Sequence, residues 1–321
     1  MYAVEGKAQA EGNKDEEERE RMEFRCVVVM DDVVPCPSRG NVVAQHGLSL
    51  YLDFYDMAEP FCLLFDTGTE TPNLQRNLNT LKLDTTAIRY TVISHAHYDH
   101  MGGLAGLLGQ LEQPVEIIAG KGVLEHKFRK LIKGETGGRD GLKRVGIPES
   151  DRDLLSLQYG HSIRYCGEPY QLAPGVILSG QIELRHAQEA PSPFFVVKGA
   201  GGSVETDTFR EELALYIKHP RLGLMVITGC AHRGIINTLD DAMAKTGCDR
   251  VYGVVGGFHL FQSSDEHVAW VIDAFKARGV RFVLPLHCTG LRGIIELVSH
   301  MKRETVLGGV GVEFDTRELD D

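Results

Sequence analysis

Ser94-His95-Ala96-His97-Tyr98-Asp99-His100-Met101-Gly102-Gly103 is the stretch on which the reading of this chain turns. It places three imidazoles and a carboxylate within six residues. An apolar, β-branched run, Tyr90 to Ile93, leads into it, and a helix-like run, Leu104 to Leu111, follows the paired glycines. The stretch therefore reads as a loop at the C-terminal end of a strand, feeding a helix, where open α/β folds place their sites. In extended backbone His95, His97 and Asp99 share one face, and His100 falls on the other. Imidazole nitrogens with a carboxylate oxygen suit zinc, iron or manganese better than calcium or magnesium. The spacing predicts a metal loop, with His100 supplying a second metal position. The bland alternative, a solvated histidine-rich loop, does not account for four ligand-type residues flanked by glycines.

Composition narrows the class. At 321 residues the chain is long for one domain but within range for a two-sheet sandwich. Its net charge of −11 argues against a general nucleic-acid surface and against an anionic membrane surface, while leaving room for a local basic pocket. The seven cysteines are odd in number and form no Cys-x-x-Cys pair, which fits a reducing cytoplasm rather than a disulfide framework. No apolar run is long enough to span a bilayer, and the N-terminus lacks a signal pattern. Residues 1–22 read as a polar tail and 23–321 as one domain, with an insertion or lid at about 133–170.

Hydrophobic patterning predicts strands at Phe24 to Met30, Leu48 to Phe54, Phe61 to Phe65, Ala87 to Ser94 and Val115 to Ala119. It predicts helices at Leu74 to Leu81 and Val123 to Ile132. A second sheet is expected from Val176 to Leu178, Phe194 to Val197, Leu213 to Lys218, Leu222 to Thr228, Val251 to Val255 and Phe282 to Pro285. Helices are expected at Ile235 to Lys245, His267 to Arg278 and Ile294 to Met301, and a glycine-rich turn at Gly199 to Thr208.

The pattern His-x-His-x-Asp-His, with Phe65-Asp66-Thr67-Gly68 upstream, resembles the metallo-β-lactamase superfamily. The resemblance implies an α/β (α+β) chain folded as a four-layer αββα sandwich, with metals at one edge. It also sorts the later motifs. Thr228-Gly229-Cys230-Ala231-His232 follows an apolar strand where superfamily members place Gly-Asp or Gly-Cys. That implies Cys230 as a ligand, with His232 as another; the plain alternative for Cys230 is a small buried filler. Leu284-Pro285-Leu286-His287-Cys288-Thr289-Gly290 is similar to the last metal motif and implies His287 as a ligand, with Cys288 a neighbour. Gly256-Gly257-Phe258-His259-Leu260 lies on the same edge, and its glycines would allow close approach of backbone to a ligand. For His259 the alternative to substrate contact is a helix-capping role. The histidine-bearing Pro-Gly-His-Thr turn of common superfamily hydrolases corresponds here to Pro174 to Gln181, which has no histidine. His232, His186 or His161 must replace it, or the second site is incomplete.

Together with His46-Gly47-Leu48-Ser49, this set is similar to the dihydropteroate-synthase-like branch of the superfamily, over about Glu23 to Glu313. The chain departs from that branch at Gly180-Gln181-Ile182-Glu183-Leu184-Arg185, a stretch expected near the substrate, and at Glu211-Glu212. The expectations are then concrete. Two divalent metal ions, zinc first and iron or manganese otherwise, are held by His95, His97 and His232 on one side. Asp99, His100 and His287 hold the other, with Cys230 joining this second group. Asp99 and Asp66 are the candidate catalytic carboxylates, Asp66 by orienting a ligand histidine. His46, Gly257, Phe258 and His259 are candidate substrate contacts. The first function expected is hydrolysis by metal-activated water. The second is a pterin-type transfer joining a dihydropterin pyrophosphate to an aromatic amine, and the third a metal-binding sensor without turnover. The partner is a small molecule, phosphorylated or pterin-like, and neither nucleic acid nor membrane.

Overall fold

The computed structural model describes residues 21–136, 141–199 and 203–320. Most of the polar tail, Gly137 and Gly138 of the expected insertion, and part of the glycine-rich turn lie outside the described residues. The chain opens with β1 (Glu23–Met30), β2 (Ser49–Tyr55) and β3 (Phe61–Phe65), and crosses through α1 (Thr71–Thr80) to β4 (Ile88–Ile93). One helical turn, α2 (Tyr98–Met101), sits within the metal loop, followed by α3 (Leu104–Leu108) and β5 (Glu116–Gly120). Next come β6 (Lys127–Lys130), β7 (Leu142–Arg144), α4 (Glu149–Leu154), β8 (Ile163–Cys166), β9 (Tyr170–Ala173) and β10 (Val176–Leu178). β11 (Phe195–Lys198), β12 (Val204–Thr206), β13 (Leu215–His219) and β14 (Gly223–Thr228) follow. The chain finishes through α5 (Ile235–Thr246), β15 (Val251–Gly256), α6 (Asp265–Ala277), β16 (Phe282–Pro285), α7 (Gly290–His300) and β17 (Glu313–Asp315).

Two large sheets form the middle layers. The first has the order β17-β1-β2-β3-β4-β5-β8 and the second β16-β15-β14-β13-β10-β9. Side chains from both fill the space between them: Phe24, Leu52, Leu63 and Val92 from the first, Leu215, Met225, Ile227 and Val255 from the second. Because strand residues alternate faces, the opposite faces are apolar too, and helices cover them. α1 and α3 pack on the first sheet through Leu74, Leu78 and Leu107. α5, α6 and α7 pack on the second through Ile236, Leu239, Phe275 and Leu297. The layers are those of the expected αββα sandwich. Among the described residues no helix is long and apolar enough to cross a membrane.

Parallel pairing aligns the strand ends that matter. In the second sheet Thr228 of β14 pairs with Gly256 of β15, and Gly256 with Pro285 of β16. In the first, Phe65 of β3 pairs with Val92 of β4. The loops that follow these strands therefore leave the sandwich at one level.

The structure corrects some expectations. Val123 to Ile132 is not a helix. Its second half is β6, which pairs with β11 and β7 in a third, four-stranded sheet of order β12-β11-β6-β7. Lys127-Phe128-Arg129-Lys130 has adequate helix propensity, but cross-strand partners override it. The strand expected at Phe194 to Val197 exists, but in this third sheet rather than the second. The weakly patterned stretch after Lys133 contains β7, α4 and β8, and β8 lies parallel to β5 at the edge of the first sheet.

Candidate metal centre

Six strand ends converge on one edge of the sandwich. β1 delivers Asp31 and Asp32, β3 Asp66, and β4 the metal loop. β14 delivers Cys230 and His232, β15 His259, and β16 His287. Asp66, His259 and His287, together with Ala231 between Cys230 and His232, have positive φ, between +46° and +62°. Non-glycine residues adopt that backbone at a cost, and such costs concentrate at functional sites.

His95, His97 and His232 form a triangle. Their ring centroids stand 4.6, 4.7 and 4.8 Å apart, and one ligand atom from each lies within 4.8 Å of the others. The Nε2 atoms of all three are buried without a hydrogen-bond partner. Buried polar atoms are nearly always satisfied, so three orphaned lone pairs aimed at one point fit a metal ion. Burial holds the pKa of His95 and His232 well below the usual histidine range and that of His97 at about 3. The rings are therefore neutral donors at pH 7. Of the three histidines that could replace the absent turn histidine, His232 is the one that lies beside His95 and His97. His161 lies in an exposed turn after α4, and His186 bonds Asp240 at 2.7 Å.

The second group is equally close. His287 Nε2 lies 3.3 Å from His100 Nε2 and 3.3 Å from Asp99 Oδ2, and His100 Nε2 lies 3.9 Å from the same oxygen. Cys230 Sγ is 3.1 Å from His100 Nε2. Burial opposes the charge of Asp99, but His100, His287 and His46 around it hold its pKa well below the carboxylate range. A carboxylate, two imidazoles and a thiol form a donor set suited to zinc or iron.

Carboxylates behind these groups set the tautomers. Asp66, fully buried, accepts hydrogen bonds from the Ser94 amide and hydroxyl, both at 2.7 Å, and from His100 Nδ1 at 2.6 Å. Since the Ser94 hydroxyl donates to Asp66, its oxygen accepts from His95 Nδ1 at 2.9 Å. One carboxylate thus turns the Nε2 lone pairs of two histidines inward. Gly229 makes this possible: a Cβ there would lie 2.1 Å from Ser94 Oγ. Asp32 does the same for His287, accepting from its Nδ1 at 3.0 Å, and Asp31 accepts from the His287 amide at 2.7 Å. The sequence reading passed over Asp31 and Asp32. Their signal was an acidic pair directly after an apolar strand. It also missed Phe209, whose ring stacks on His232 at 4.1 Å and 9°; Glu212, singled out only as a departure from the branch, accepts the His232 and Arg233 amides at 2.6 and 2.7 Å.

A cavity of about 340 Å³ opens over the centre, lined by His97, Asp99, His232 and His287 at its floor and by Phe195 and Phe261 at its sides. Its outer wall carries Arg129, Lys130, Lys143 and Arg144 from β6 and β7. Of the expected substrate contacts, His46 and His259 line this cavity. His46 Nε2 stands 3.2 Å from Asp99 Oδ2, and its bonds to Asp32 and Asp99 push its pKa up to about 9. Gly257 and Phe258 do not line it. Phe258 turns into the helix-covered core, 5.6 Å from Phe275, and Gly257 lies behind Cys288. The departure at Gly180 to Arg185 is not on the wall either. There the Glu183 and Arg185 amides bond Asp241 and Asn237 of α5.

Residues 59–180 match the profile of the Metallo-beta-lactamase superfamily. The chain is 28% identical over 269 residues to the 7,8-dihydropterin-6-methyl-4-(beta-D-ribofuranosyl)-aminobenzene-5'-phosphate synthase of Methanocaldococcus jannaschii, covering 81% of this chain and 86% of that protein. It is 30% identical over 254 residues to an uncharacterized protein of the same organism, covering 79% of this chain and 88% of that one. The fold matches the crystal structure of a metal-dependent hydrolase of the beta-lactamase superfamily at a TM-score of 0.72, with 28% identity, over 93% of this chain and 100% of that one.

Proposed function

The chain belongs to the metallo-beta-lactamase superfamily, and from that premise we propose that it is an enzyme that hydrolyses a phosphorylated small molecule at a two-ion centre. One observation carries the reading. Two donor groups, His95/His97/His232 and Asp99/His100/His287 with Cys230, lie beside one another, and each contributes to the floor of a single cavity whose outer wall is basic. Bound divalent ions supply an acidified water near pH 7 and positive charge against a developing oxyanion. The protein's part is orientation and charge. Asp66 and Asp32 hold His100, His95 and His287 in the metal-binding tautomer. His46, held between Asp32 and Asp99, lines the cavity beside the second donor group. Among the described residues no ion pair ties Lys130, Lys143 or Arg144 to a carboxylate, while Arg129 is engaged by Glu135. In a chain of net charge −11, Lys130, Lys143 and Arg144, the last lying over the Phe128 ring, focus an anion toward the floor.

A second reading has its own support. The synthase from Methanocaldococcus jannaschii carries a name that joins a dihydropterin to an aminobenzene with a 5'-phosphate. The rings of Phe194, Phe195 and Phe261 beside the basic wall would stack an aromatic group. Under this reading the same donor residues would hold the ions, which would supply positive charge to a pyrophosphate leaving group.

The experiment begins with metal content in protein purified without added metal. It continues with phosphoesters offered to the zinc-loaded protein in ¹⁸O-labelled water. Two equivalents of metal and label in the product support hydrolysis. Turnover that needs both a dihydropterin pyrophosphate and an aromatic amine, with no label incorporated, replaces hydrolysis with transfer. Protein that takes up no metal ends both readings.

A further inference from the structure

All cysteines of the chain are free thiols, and they fall into distinct settings. Cys26, Cys62 and Cys166 lie on strands among apolar core side chains, the ordinary place for a buried cysteine. Cys230 and Cys288 are buried as well, yet neither joins an apolar cluster, and both line the cavity over the metal centre. The sequence reading took Cys288 only as a neighbour of His287.

Two strand ends bring the thiols together. Cys230 follows β14 and Cys288 follows β16, with β15 between them. Gly257, at the end of β15, leaves the gap: a Cβ there would stand 2.6 Å from Cys288 Sγ. Cys288 Sγ reaches to 3.5 Å from the Cys230 carbonyl oxygen. The two sulfurs and a ring nitrogen of His287 lie within 4.8 Å of one another, all buried. Cys230 Sγ is also 3.1 Å from His100 Nε2. Sulfur and nitrogen donors about 2.3 and 2.0 Å from a tetrahedral ion stand roughly 3.3–3.8 Å apart, so this is a donor set slightly open around one small ion.

From this placement we infer that Cys288 is a metal ligand beside Cys230 and His287, so that the two metal positions differ in kind. The inference rests on the metal-centre reading above and deepens it. One position is three imidazoles. The other is rich in sulfur, which favours zinc or iron and disfavours manganese and magnesium.

The test is X-ray absorption at the zinc edge on the full-length protein loaded with two equivalents of zinc. Two thiolates shared over two ions give an average of about one sulfur per zinc at about 2.3 Å, and a single thiolate gives about half that. Cobalt substitution adds a second readout. Sulfur-to-cobalt charge-transfer absorption falls by about half in Cys288→Ser and in Cys230→Ser and vanishes in the double variant, while the visible bands of the three-histidine position remain. Thermal unfolding of the metal-free variants identifies any that fail to fold, in which case the wild-type zinc-edge spectrum decides alone. Two bound zincs averaging about half a sulfur each, or a full charge-transfer band in Cys288→Ser, overturn the ligand role of Cys288 and leave the metal centre standing. A protein that binds no metal overturns both.

Discussion

Replacing Asp66 with asparagine isolates one charge and tests the orientation argument. Asp66 sits at φ +62°, a conformation asparagine tolerates, so Asp66→Asn adds no backbone strain. The carboxylate accepts three hydrogen bonds, at 2.6, 2.7 and 2.7 Å. An asparagine keeps one acceptor oxygen and turns an NH₂ toward His100 Nδ1 or the Ser94 hydroxyl. His100 must then carry its proton on Nε2, facing the other donors, or leave two donors opposed. Losing an orienting partner of this kind weakens metal binding by about 10–100-fold, which is roughly 1.4–2.8 kcal/mol. The Asp99/His100/His287 position is expected to lose this much. The three-histidine position loses less, because Asp66 reaches His95 only through Ser94. Competition titration against a chromophoric chelator resolves the two affinities, and guanidinium unfolding of the metal-free variant measures the fold. The lost charge-assisted bond costs the metal-free protein about 1.5–3 kcal/mol. If Asp66→Asn binds both equivalents with wild-type affinity, the carboxylate does not set the tautomers and the argument fails.

Other outcomes follow from the same geometry. His97→Ala lowers metal content from two equivalents to one by elemental analysis, since it removes one corner of the three-histidine triangle while leaving the second group intact. Lys143→Glu reverses a charge on the cavity wall and raises KM for a phosphorylated substrate about tenfold at low salt, with the difference shrinking at high salt; an unchanged KM would remove the wall from the substrate site. Lys127 is buried between Asp207 at 2.9 Å and Glu211 at 2.8 Å, so Lys127→Met strands two carboxylates and costs about 3–5 kcal/mol in a denaturant titration. Asp240 accepts from Arg278 at 2.6 Å and His186 at 2.7 Å. Burial opposes its charge, but these partners hold its pKa below the carboxylate range. Its stabilising contribution is therefore fully present above about pH 4 and is lost as pH falls through the folded pKa. In Asp240→Asn the loss of stability between about pH 5 and pH 2 is correspondingly smaller.

The metal loop was legible because its donors are local. Four ligand-type residues in six positions, with a strand before and glycines after, need no tertiary information. His232 and His287 were legible only as residues after apolar strands, and parallel register then brought them to the same edge. What sequence could not reveal lay in distant pairings. Asp32 orients His287 from 255 positions away, and nothing local to either residue announces it. β6 was read as a helix because four residues are too few to show a period, and its partner, β11, comes far later in the chain. Phe258 was misplaced because backbone at a strand end turns. The residue adjacent to a cavity-lining histidine points into the core.

The four-stranded sheet is assembled from two excursions, β6–β7 between strands of the first large sheet and β11–β12 between strands of the second. It supplies Arg129, Lys130, Lys143, Arg144 and Phe195 to the cavity, and none of the candidate metal donors. The part of the molecule proposed to select a ligand thus comes from other strands than the candidate donors, and it meets them where the Phe195 ring packs on His97 and His232. Mutational drift in these two excursions can exchange one substrate for another while the strand ends beneath stay as they are. Two chains that share this ten-residue loop letter for letter can therefore act on unrelated compounds, and their excursions are the place to look for the difference.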